Sequence, residues 1–107
     1  MFQLADPKKP VKWPVKVKVP TDKGEVEKSF AVSFYFRTEE QIKALNEKLD
    51  DVKFLQDVVA AFHELKDHLG KPIKGTKADV KKVCSNTRVR LALIDAFFDF
   101  NHGDLKN

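Results

Sequence analysis

The residues of this 107-residue chain that could do chemistry are three histidines, one cysteine and a few serines. His63 and His68 stand five apart, which on a helix separates them by about 140 degrees of rotation, so they cannot share a metal as an i, i+4 pair can. His63 with Asp67 and Glu64 with His68 do have i, i+4 spacing, but each pair offers only two ligands, and the group reads as a solvated helix face. His102 follows the final helix, where a positive charge suits the C-terminal dipole. Cys84, between Val83 and Ser85 in a predicted helix, reads as inert packing. Ser29, Ser33 and Ser85 occupy ordinary strand and break positions, and no base can be assigned to any of them or to Cys84. Gly24, Gly70, Gly75 and Gly103 are isolated at turns or helix ends, so no phosphate-cradling loop is expected. The residue types therefore predict no catalytic set, no metal and no cofactor.

The elements that carry these residues follow from one change of period. Val11, Trp13, Val15, Val17 and Val19 alternate with Lys12, Lys16 and Lys18, the period of two that puts one strand face on a core and the other in water. Pro14 and Pro20 mark an edge strand and its end. Thr21-Asp-Lys-Gly24 supplies a turn, and the return strand places Val26, Phe30, Val32, Phe34 and Phe36 on one face, with Glu27, Ser29, Ala31, Ser33 and Tyr35 on the other. A lone hairpin is marginal, so its aromatic face requires cover from helices or from a third strand contributed by another chain. Thr38-Glu-Glu-Gln41 is a capping box, and from there the period becomes helical through Ile42, Leu45 and Leu49. Asp50 or Asp51 caps a second helix with Val52, Leu55, Val58, Val59, Phe62, Leu65 and Leu69 on one face, stopping at Gly70 ahead of Pro72. Thr76 and Asp79 cap a short third helix. A last helix aligns Val89, Leu93, Phe97 and Phe100.

The predicted class is α+β, an N-terminal antiparallel β-hairpin over residues 11–37 followed by a small bundle of three to four helices near 38–49, 51–69, 77–84 and 87–101. One domain over residues 1–107 is expected, with 1–37 the hairpin region and 38–107 the helical region. Its central core should contain Leu55, Val58, Val59, Phe62, Val89, Leu93 and Phe97.

Residues 1–37 hold eight Lys or Arg against four Asp or Glu and residues 38–107 twelve of each, so the whole net charge of +4 sits on the hairpin half. Such a patch can steer an acidic partner, but lysines on an edge strand also discourage aggregation, and that reading is preferred. No apolar run approaches the roughly 20 residues of a membrane span. The opening residues lack the order of a secretory signal, and a single cysteine suits a reducing compartment, so a soluble cytoplasmic protein is expected. Aromatics mixed with lysines could stack single-stranded nucleic acid if they faced outward. Alternation instead gives them a face from which lysines, Lys28 apart, are excluded.

Candidate interaction residues are the apolar ones a small core cannot cover. Phe97, Phe98 and Phe100 span too wide an arc for one narrow stripe, so either at least one lies at a boundary or interface or all three are taken into the core. Trp13 and Tyr35 on the hairpin join them as candidate protein-binding residues. An open-edged hairpin with an aromatic face also predicts self-association.

Three segments together resemble the tail assembly chaperones of long-tailed bacteriophages and their prophages. They are Met1-Phe-Gln-Leu with Trp13-Pro-Val-Lys-Val-Lys-Val-Pro20 and Phe34-Tyr-Phe36, then Val58-Val-Ala-Ala-Phe62 running to Gly70-Lys-Pro-Ile73, and Asn86-Thr-Arg-Val-Arg-Leu-Ala-Leu-Ile-Asp-Ala-Phe-Phe98. Phe62 stands where that family would carry a tryptophan, and His63-Glu-Leu-Lys-Asp-His replaces a shorter link. The resemblance implies a non-catalytic protein that binds the tape measure protein and keeps it soluble during tail assembly, with the major tail tube protein a further partner. It also implies residence in the bacterial host cytoplasm and absence from the mature virion. The alternative is a small basic nucleic-acid-binding or host-interaction module encoded by a phage or prophage.

Overall fold

A computed structural model describes Leu4, Asp6, residues 8–48 and residues 50–102, in an α+β arrangement. Strands β1 (Val11–Thr21) and β2 (Gly24–Phe34) pair antiparallel without interruption from Val11↔Phe34 to Thr21↔Gly24. The hairpin ends at Phe34 rather than at residue 37. Only Asp22 and Lys23 lie between the strands, and Gly24 takes φ +109°, the conformation its missing Cβ allows.

A two-residue loop makes Thr21 and Gly24 a mutually hydrogen-bonded pair, which fixes the phase of the whole ladder. The odd residues of β1 then turn N–H and C=O toward β2, and its even residues turn theirs to the open edge. Pro14 and Pro20 are both even, so neither removes a ladder bond, and both remove a donor from the exposed edge. In β2 the odd residues face the other way, and Ala31 and Ser33 need partners there.

Those partners come from the chain itself. The second helix, α2 (Asp51–Val58), starts where expected, with the Asp50 carboxylate accepting the Lys53 N–H at 2.9 Å. It does not run to residue 69. It stops at Val58, and Val59–His63 extends as β3, pairing Ala31↔His63, Val32↔Phe62 and Ser33↔Ala61, with a bulge before Phe34↔Val59. The third strand, expected from another chain as one alternative to cover by helices, is thus supplied internally. Because β3 breaks the helical stripe, Leu65 is half-buried and Leu69 is 69% exposed.

Beyond β3 the backbone reverses through Glu64 at φ +58°, and the segment doubles back along the outer edge of β3. There Phe62 N–H donates to Lys74 C=O at 2.6 Å and Ile73 N–H to Leu65 C=O at 2.9 Å. Gly75, at φ +140°, lies so close to β3 that a Cβ would sit 2.7 Å from the Ala61 Cα and 3.0 Å from the Ala60 carbonyl oxygen.

The other helices keep their expected signals. Helix α1 (Glu39–Lys48) opens on the Thr38–Gln41 capping box, Gln41 N–H donating to Thr38 Oγ1 at 3.2 Å and Thr38 N–H to Gln41 Oε1 at 2.9 Å. Ile42 is buried on it, Leu45 is half-buried, and Leu49 lies outside the described residues. Helix α3 (Lys77–Cys84) has the Thr76–Asp79 box, and α4 (Thr87–His102) packs along β1. The core gathers Val15, Val32 and Phe34 from the hairpin, Leu55 and Val58 from α2, Phe62 from β3, and Leu93 and Phe97 from α4. Of the expected core, Val89 alone is half-buried.

Phe97 is wholly buried, so Phe97→Ala should cost about 3–5 kcal/mol in denaturant melts, whereas Leu69→Ala should stay within about 0.5 kcal/mol. Gly75→Ala, which combines a positive φ with a backbone clash, should destabilise by more than about 1 kcal/mol.

Candidate functional site

The five candidate interaction residues separate into three environments. Phe97 is at 0% exposure, ringed by Phe34 at 5.4 Å, Phe54 at 5.4 Å and Phe98 at 5.5 Å between centroids, and offers nothing to a partner. Phe98 and Phe100 are half-buried on either side of it. Phe98 stacks on Phe54 at 6.0 Å and meets the His102 ring at 5.5 Å. Phe100 sits between Phe34 and Trp13, each 5.6 Å away, with the Trp13 contact edge-to-face. Trp13 and Phe100 therefore form one half-exposed aromatic border where β1 meets α4.

Tyr35 belongs elsewhere. Its ring lies 5.3 Å beneath the Arg37 guanidinium carbon, and Arg37 in turn ties three elements together. Arg37 Nε donates to Asp57 Oδ2 at 3.0 Å and Nη2 to the Asp57 carbonyl at 3.1 Å. Its backbone N–H donates to Asn101 Oδ1 at 2.8 Å, and Asn101 Nδ2 returns a bond to the Arg37 carbonyl at 2.9 Å. The exit of β2, the end of α2 and the end of α4 are held at one point.

A recess of about 550 Å³ that sequence patterning did not indicate runs between β1 and α4. Trp13 and Val17 line it from the strand, and Leu91, Ala92 and Ala96 from the helix. Its signal was present as a second stripe on α4. Arg88, Leu91, Ala92, Asp95, Ala96 and Asp99 recur at i, i+3, i+4, i+7, i+8 and i+11, beside the inner stripe of Leu93 and Phe97.

The groups that could do chemistry are placed as follows. His63 is on β3 and His68 in the following turn, so the expected helix face that would carry both does not exist. Asp67 accepts the Leu69 and Lys71 N–H groups and the Lys82 ammonium, and these bonds, that of Lys71 foremost, hold its carboxyl below the usual range. Among the described residues no group of three or more His, Cys, Asp or Glu stands close enough to hold a metal ion. Strand pairing does create one contact that the sequence order concealed: Ser33 Oγ lies 2.7 Å from His63 Nε2. The two are diagonal neighbours across the β2–β3 pair, on the face opposite the aromatic core. The described residues place no carboxylate in hydrogen-bonding contact with His63, so the contact satisfies a buried hydroxyl without the third group that orients a catalytic imidazole. Cys84 is buried, and burial pushes its thiol pKa up, away from the thiolate a nucleophile needs.

Compared with protein-family models, curated proteins and solved structures, the chain matches none.

Two carboxylates give the fold a defined acid sensitivity. Asp79 accepts the N–H groups of Gly75, Lys74 and Thr76, which together with the Thr76 hydroxyl keep its pKa low, as the turn bonds do for Asp67. With the folded pKa depressed, the unfolded chain binds more protons. Their stabilisation is complete above the ordinary carboxylate pKa and disappears as pH falls through the lowered values. The melting temperature should be flat from neutrality to about pH 5 and fall below about pH 4, and Asp67→Asn and Asp79→Asn should each flatten that acid limb.

Proposed function

We propose that this chain is a non-catalytic tail assembly chaperone of a long-tailed phage or prophage, holding apolar helical segments of the tape measure protein in solution in the bacterial cytoplasm until the tube forms. The observation that carries the reading is the half-exposed border of Trp13 and Phe100, continuous through Phe34 and Phe97 with a buried aromatic cluster. Aromatic anchors rooted in a rigid core present apolar area at low entropic cost, which is how a groove gains affinity for an amphipathic helix. The resemblance in segment order supplies the identity of the partner, and the reading needs no nucleotide, metal or bond-making step. Absence from the finished virion and a contact with the major tail tube protein belong to the same proposal.

The nucleic-acid alternative draws less support from the hairpin. On the hairpin, Glu27 lies 4.0 Å from Lys16, Glu25 pairs with Arg88 of α4, and the Trp13 ring packs edge-to-face with Phe100, so carboxylates are interspersed among the lysines and the ring of β1 is packed against its own chain. Self-association through the β1 edge is likewise opposed by Pro14 and by the row of lysines.

Co-expression with the tape measure protein should raise its soluble fraction several-fold and yield a recoverable complex whose stability changes little with salt, as expected of apolar anchors. Phe100→Ala should reduce recovery. Equal insolubility of the tape measure protein with and without this chain, or binding to nucleic acid that falls steeply with salt, would reject the reading. Sedimentation at high concentration separates monomer from self-associated forms.

A further inference from the structure

We infer that the recess between β1 and α4 seats one amphipathic helix whose apolar stripe is bordered by acidic residues on one side and basic residues on the other. Its identification as a tape measure segment rests on the function proposed above. The floor is apolar: Trp13 and Val17 from the strand, Ala92 and Ala96 from the helix, with Leu91 53% exposed beside them. The two alanines keep the α4 wall low enough for another backbone to approach.

The borders differ in charge. Lys16 and Lys18 line the β1 side, and Asp95 and Asp99, one helical turn apart, line the α4 side. Arg88 closes the end nearest the hairpin tip, bonded to the Lys18 carbonyl at 3.0 Å and to the Glu25 carboxylate. A uniformly acidic or basic occupant would meet one matching wall and one repelling wall, whereas a helix with mixed borders satisfies both in one of its two directions.

The backbone edge selects against an extended occupant. Pro14 and Pro20 leave gaps in the row of outward N–H donors, and the Lys18 carbonyl is taken by Arg88. A strand added to β1 would lose much of its ladder, but a helix satisfies its own backbone and asks only for side-chain contacts.

The test uses three labelled synthetic helices of about 20 residues, long enough to be partly helical alone. Each carries leucine along one stripe, with borders of Glu and Lys, of Glu only, or of Lys only, and binding is read by fluorescence anisotropy. The mixed-border peptide should bind about tenfold tighter than either control, and Leu91→Glu, at an exposed position, should remove that binding without changing the melting temperature. The Asp95→Lys, Asp99→Lys double variant should move the preference to the all-Glu peptide. Equal binding of the three peptides, or undiminished binding by Leu91→Glu, overturns the inference. A wild-type dimer that Leu91→Glu converts to monomer also overturns it, since the recess would then serve a second copy. If wild-type and Leu91→Glu proteins capture the tape measure protein equally, the recess fails and the chaperone reading stands. If the peptides discriminate as expected and no tape measure protein is captured, the recess stands and the chaperone reading fails.

Discussion

The position of one ring, that of Phe97, is the constraint from which the arrangement follows. It is fully buried and meets Phe34 of β2 and Phe54 of α2 edge-on, both with centroids at 5.4 Å. Edge-to-face geometry places the positive rim of one ring on the negative face of another and adds roughly 0.5–1.5 kcal/mol per pair to the burial itself. Because the three rings come from three elements, these contacts fix α4 against the sheet and α2 against α4 together. The Arg37–Asp57 and Arg37–Asn101 bonds lock the same three elements from the polar side. Aromatic packing and a charged knot at one end of the sheet leave the hairpin tip, with Glu25 and Glu27 beyond the reach of β3, comparatively uncovered.

The sheet manages its edges by two means. On the far side, the returning segment lies on β3, with Gly75 against Ala61 so closely that no side chain fits between. On the near side no strand among the described residues pairs with β1, and protection comes from chemistry: prolines in outward phase, lysines on the exposed face, and an arginine on one carbonyl. These devices disfavour strand pairing and leave side-chain surface free, so a surface can be available for helices while closed to aggregation. The lysine row therefore has a protective role that does not depend on the use proposed for the recess.

Local signals in the sequence determined the hairpin, its turn at Gly24, the caps at Thr38, at Asp50 or Asp51, and at Thr76, and the core positions of Leu55, Leu93 and Phe97. Each of those rests on neighbours within a few residues, through alternation, a capping hydrogen bond or helical spacing, and so survives without knowledge of the rest of the chain. Val58-Val-Ala-Ala-Phe62 does not, because its apolar residues satisfy helical spacing and strand alternation alike. Tertiary structure chose the strand there, since the outward backbone groups of Ala31 and Ser33 needed a partner, which among the described residues Val59–His63 supplies. That one choice turned Leu69 out to solvent, brought Ser33 onto His63 and ended the supposed histidine face. It was likewise the antiparallel course of α4 along β1 that buried Phe97, left Phe98 and Phe100 at the border, and opened a recess beside Leu91. The second stripe on α4 marks those residues as one face, but whether that face lacks a neighbour depends on every element packed around it.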